Sequence, residues 1–171
     1  MYNVILAATD GSGSGMRAME NAVDIAGRCG ARLVMLSVVQ AGPLPSELSK
    51  YASKDLASSP HPLLANIPSW FDEARDVVSR HPGEVHALAE EVASVALEHG
   101  TRLARKADVD QYETVVEHGE PAAKIVEVAD RENADLIVFG RLGLGNSNKL
   151  YLGSVAYKLM QMTDRSCLTV K

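Results

Sequence analysis

The chain has 171 residues, 46% of them hydrophobic and 23% charged, with a formal net charge of −5 at neutral pH. That size suits a single domain over 1–171 built on one core. The acidic balance argues against a nucleic-acid partner, and no apolar run approaches the roughly 20 residues of a membrane span. Two cysteines, Cys29 and Cys167, make no disulfide framework, and the first residues enter a strand pattern with no basic leader, so a cytoplasmic protein is expected.

Asn3–Thr9 is a short apolar run of buried-strand character. Asp10–Gly15 breaks it, and Met16, Met19, Val23 and Ala26 recur at helical spacing up to a stop at Cys29-Gly30. Arg32–Val39 is a second strand. Residues 41–83 form an irregular insertion holding six of the seven prolines. Inside it Ser69 can cap a short helix carrying Trp70, a candidate lid or partner surface. Glu84–Ala107 reads as a long amphipathic helix with Val85, Leu88, Val92, Val95, His99 and Leu103 on its buried face. His99 is expected at the core edge, and the histidines have no partners at metal spacing.

Tyr112–Glu117 is a third strand. Gly119-Glu120-Pro121 turns the chain into a helix over 122–131, with Pro121 at its first position and Ile125 and Val128 inward. Glu117 and His118 are adjacent on a strand and point to opposite faces, which excludes them as an acid–base pair. Asp135–Gly140 is a fourth strand, Val155–Met160 a helix, and Ser166–Val170 a fifth strand. Regular strand–helix alternation predicts an open parallel sheet with helices on both faces.

Between the fourth strand and its helix lies GRLGLGNSNKLYLGS, residues 140–154. Residues 136–163 hold no Asp or Glu, yet carry Arg141, Lys149 and Lys158, a local field suited to phosphate. Glycine permits close backbone approach, and a helix start offers N–H groups to an anion. The P-loop is excluded because no Lys follows the glycine. The dinucleotide fingerprint is excluded because its third glycine falls on Asn148, counting from Gly143 and Gly145, or on Met16, counting from Gly11 and Gly13.

The spacing Gly140-x2-Gly143-x9-Gly153-Ser154, with Thr9-Asp10-Gly11-Ser12 after the first strand, resembles the ATP-binding branch of the universal stress protein family. Gly119-x-Pro121 with Ile125 four residues on, and Cys167 before the last strand, resemble it too, although Leu168 stands where the family often has Pro. The resemblance implies a flavodoxin-like sheet, akin to the adenine nucleotide alpha hydrolases, in the order 3-2-1-4-5. It implies that Asp10 contacts the nucleotide near adenine and ribose, with Ala8 and Thr9 beside it, and that Val38 meets adenine through its backbone. Gly140, Gly143, Gly153 and Ser154 would cradle phosphates and ribose, with Arg141, Gly145, Asn146 and Val155 as neighbours. The cofactor would be ATP, with Mg²⁺ or Mn²⁺ held mainly by phosphates and water. No nucleophile or general base has a partner, so hydrolysis would be slow or absent. The family commonly forms homodimers through the edge strand, here 166–170; the downstream partner is not named by the sequence. The alternative is a dimeric interaction protein that needs no nucleotide. An adenylating ATP-pyrophosphatase would want Ser-Gly-Gly-x-Asp-Ser after the first strand, which Gly11–Gly15 does not supply.

Overall fold

The computed structural model describes residues 1–40, 85–143 and 152–171. The expected 41–83 insertion and Trp70 helix lie outside the described residues, as do Gly145, Asn146 and Lys149. The chain runs β1 (Val4–Thr9), α1 (Gly13–Cys29), β2 (Arg32–Val39), α2 (Val85–Lys106), β3 (Tyr112–His118), α3 (Pro121–Arg131), β4 (Leu136–Gly140), α4 (Ser154–Met162) and β5 (Ser166–Val170). The five strands pair in parallel in the order β3-β2-β1-β4-β5, as expected.

Side chains alternate across a strand, and here each face has its own helices. Ile5, Ala7, Leu33, Met35, Leu136 and Val138 pack with α1 and α2 residues such as Met19, Val23 and Leu97. Leu6, Ala8, Val34, Leu36, Ile137 and Phe139 pack with Ile125 and Val128 of α3 and Ala156 and Leu159 of α4. Continuous apolar strands are what a sheet covered on both faces requires.

The helix ends follow local chemistry. Ser12 caps α1, its Oγ accepting the Gly15 N–H, and Gly30 closes it in the left-handed region at φ 64°. Glu120 caps α3 by accepting the Ala123 N–H at 2.8 Å, with Pro121 next.

The buried stripe of α2 departs from the expected one. Val92, Ala93, Ala96, Leu97 and Ala104 are buried, whereas Val95, His99 and Leu103 are only half-buried. The side chains of Val85 and Leu88 fall outside the description. Small residues decide this face because they let the helix come close: a Cβ on Gly100 would lie 2.7 Å from the Met35 sulfur and 3.0 Å from that of Met19. His99 therefore sits at the core edge as expected, and burial, assisted by the Arg102 charge, pulls its pKa below 6.5.

Candidate functional site

The order of strands reverses between β1 and β4. From their C-terminal ends the chain leaves in opposite directions, into α1 on one face and toward α4 on the other, so a crevice opens where they part. Ala8 pairs in register with Phe139, which brings Thr9 and Asp10 beside Gly140 and Arg141 although about 130 residues separate them in sequence. Thr9 pairs with Ser37, so Val38, the last residue but one of β2, lies at the same rim.

The β1 end is tightly organised. Ala8 is buried in the core on the α3 and α4 face. Thr9 faces α1, its Oγ1 accepting from Gly11 N at 3.1 Å and donating to the Met16 sulfur at 3.6 Å. Asp10 Oδ1 accepts from Ser12 N at 3.0 Å, closing a turn in which Gly11 takes φ 78°, a conformation that favours glycine. Asp10 thus shapes the turn and Ser12 caps the helix.

Two of the signature glycines lie against this turn. A Cβ on Gly140 would meet Gly15 N and Ser14 Oγ, each at 2.7 Å, so the first turn of α1 rests on the bare backbone of Gly140. A Cβ on Gly143 would meet Asp10 Oδ2 at 2.7 Å. Neither has positive φ. The expectation that these glycines leave room for phosphate therefore gains a second cause, the close approach of α1 and of the Asp10 carboxylate.

The return toward α4 is held by backbone bonds. Gly153 N donates to Arg141 O at 2.8 Å, and Arg141 N donates to Val170 O at 2.7 Å, which ties the rim of β4 to β5. Gly153 stands at the N-cap of α4 and supplies no side-chain acceptor to the first turn, so this helix start has no side-chain cap. Ser154 is exposed and Val155 half-buried beside the α3 and α4 core.

Of the expected basic residues, Lys158 is paired with an acid. Lys158 Nζ lies 3.2 Å from Glu120 Oε1, so it serves the start of α3. Glu120 is held below the usual carboxylate range, first by the Ala123 N–H and further by Lys158. Among the described residues, no group of three His, Cys, Asp or Glu could hold a metal.

The rim thus gathers Thr9, Asp10, Val38, Gly140, Arg141, Gly143 and Gly153, with Ser154 and Val155 opening α4 beside them and Ala8 buried in the core beneath. Sequence reasoning gave no role to Ser14 or Gly15, nor to Ser12 as the cap. Ser14 Oγ donates to Leu142 O in a short contact, and Ser12 Oγ reaches the same carbonyl at 3.4 Å. The available signal was Ser12 three residues before Gly15, the spacing of an N-cap.

A five-stranded parallel sheet in this order, with a glycine-lined rim at its switch point, defines a flavodoxin-like α/β protein. The model of the universal stress protein family matches residues 1–171, and the chain belongs to that family. It is 30% identical over 175 residues to the stress response protein NhaX of Bacillus subtilis, covering 98% of this chain and 96% of that one. Among solved structures it is similar to a universal stress protein in complex with cAMP, with TM-score 0.61 and 24% identity, covering 99% of this chain and 97% of that one. It is likewise similar to the universal stress protein from Archaeoglobus fulgidus in complex with dAMP, with TM-score 0.56 and 18% identity, covering 100% of this chain and 98% of that one. At these identities the structures speak for the fold.

Proposed function

We propose that this chain binds ATP in the crevice between β1 and β4 and acts in a stress response through the bound nucleotide, with slow or no hydrolysis. The observation that carries the reading is the meeting of the Thr9-Asp10 turn, the Gly140–Gly143 backbone and the α4 start at one rim. Two structurally similar proteins of the family carry cAMP and dAMP, which share an adenine and a phosphate. Val38 would offer backbone to adenine, Asp10 and Ala8-Thr9 would flank the ribose, and Gly143, Gly153, Ser154 and Val155 would face phosphate, with Arg141, Gly145 and Asn146 as neighbours. Asp10 stands close enough to Gly143 to repel a bare polyphosphate, and Mg²⁺ or Mn²⁺ on the phosphates would offset that repulsion.

In this reading the protein works as a cytoplasmic homodimer and 1–171 is one domain. Of the two sheet edges, β3 carries Glu113, Glu117 and His118, whereas β5 carries no charge. Charged edges resist pairing and neutral ones invite it, so β5 is the edge for a second copy. A nucleotide-independent interaction protein is the second reading. It is favoured by one observation: Ser14 and Asp10 already fill the space at Gly140 and Gly143.

Mass spectrometry of small molecules released from purified protein, with a thermal melt in ATP and Mg²⁺, decides between them. An adenine nucleotide and a raised melting temperature support the first reading. No nucleotide and no shift leave the second.

A further inference from the structure

We infer that Ser14 is a positioning residue for this site: by holding the Leu142 carbonyl it turns the Leu142–Gly143 peptide so that its N–H faces the ligand side. The inference rests on the nucleotide reading above. Ser14 is only 9% exposed and sits in the first turn of α1. Its hydroxyl donates to Leu142 O, and Ser12 Oγ, 3.5 Å from Ser14 Oγ, gives the same carbonyl a weaker second donor.

The physical step is the geometry of the peptide. The described chain has no cis bonds, and in a planar trans peptide C=O and N–H point in opposite directions. With the Leu142 carbonyl drawn toward α1, the Gly143 N–H lies on the side away from α1. There Gly143 N is 3.7 Å from where a Cβ on Gly153 would stand, beside the start of α4. Released from Ser14, this peptide could flip, because glycine on its C-terminal side offers little steric resistance, and would then present a carbonyl oxygen to the phosphates. One hydroxyl therefore selects whether the loop offers an anion a donor or an acceptor.

Ser14 is also the clean handle. Ser12 caps α1 through Gly15 N at 3.1 Å, so removing it would damage the helix. Gly140 must stay bare for Ser14 to approach.

The test uses the full ¹⁵N-labelled chain, Ser14→Ala, and Gly30→Ala as a destabilised control remote from the site. The probes are Mg²⁺·ATP and adenosine, which lacks phosphate. Ser14→Ala should move the Gly143 amide resonance before any ligand is added. It should weaken ATP about tenfold, the upper range for one neutral hydrogen bond, and leave adenosine affinity unchanged. Gly30→Ala should do none of these. An unmoved Gly143 resonance, or equal weakening of ATP and adenosine, overturns the inference. Wild type that binds neither probe removes the nucleotide reading itself, and the positioning role with it, an outcome visible without any variant. Should Ser14→Ala not fold, Ser14→Cys keeps the shape with a weaker donor and carries the same test.

Discussion

The Asp10 carboxylate stands where a side chain at residue 143 would have to go, its Oδ2 2.7 Å from the Cβ position of Gly143. That contact divides the signature glycines by what surrounds them. At Gly143 the obstacle is the tip of a side chain; at Gly140 it is the backbone of Ser14 and Gly15 together with the Ser14 hydroxyl, so trimming a side chain alone would not clear it.

Gly143→Ala should therefore fold, since Asp10 can rotate aside, but should lose nucleotide binding because the carboxylate is displaced into the crevice. A ligand at 100 times its dissociation constant stabilises a fold by about 2.7 kcal/mol, a shift of several degrees for a domain of this size. Wild type should show that shift with Mg²⁺·ATP and Gly143→Ala should not. A folded variant that keeps the full shift would separate Gly143 from the phosphate site.

Gly140→Ala should damage the fold instead. Its added methyl meets fixed main chain in a packed junction, where overpacking costs about 1–3 kcal/mol. Chemical denaturation without ligand should register that loss. A variant as stable as wild type would mean that α1 can back away from β4.

Gly30→Ala should cost about 1–2 kcal/mol from its left-handed conformation alone, since no atom lies within 4 Å of the added methyl. Its ATP affinity should match wild type. A neutral effect on stability would place Gly30 outside the left-handed region in solution.

The charge state of His99 sets a pH dependence. Its folded pKa lies below 6.5, so the unfolded chain takes up the proton first as pH falls. The contribution of the neutral imidazole is complete above 6.5 and drains away through the folded pKa below it. Wild type should lose more melting temperature from pH 8 to pH 5 than His99→Gln. Parallel curves for the two would show that His99 is solvated in the folded protein. The side chain is half-buried rather than buried, so the difference should be small.

For the dimer, Thr169 is the informative position. Val170 O accepts from Arg141 N, just past the end of β4, so backbone groups of alternate residues, Thr169 among them, point to the open edge. Thr169→Pro removes an outward N–H without breaking a bond to β4. Sedimentation at micromolar protein should show wild type as a dimer and the variant as a folded monomer. A wild-type monomer would end the edge-pairing proposal.

The sheet was legible because β1, β2 and β4 are short apolar runs between clear breaks, and the glycine spacing marks the rim of β4. Two things were less legible. In α2 the larger side chains, Val95 and Leu103, suggested a buried stripe, yet contact runs through Ala93, Ala96, Gly100 and Ala104, because closeness to Met19 and Met35 outweighs side-chain size. At the site, a glycine announces that something comes close but not what. That Ser14 and Asp10 come close to Gly140 and Gly143 is a long-range relationship between chain segments about 130 residues apart, and local pattern carries no trace of it. The pairing of Lys158 was hidden for the same reason: its partner, Glu120, caps another helix.

Gly140 and Gly15 meet through main chain alone, with no side chain on either partner left to trim. In most packed contacts a bulky replacement can be rescued by shrinking its neighbour. Here the neighbour is already the smallest residue, so a second-site suppressor at 15 does not exist, and a lineage that lost Gly140 could recover it only by reversion or by shifting the whole of α1. In a saturation screen this junction should appear as a position with many failures and no compensating partners, unlike Gly143, where a change at Asp10 can make room.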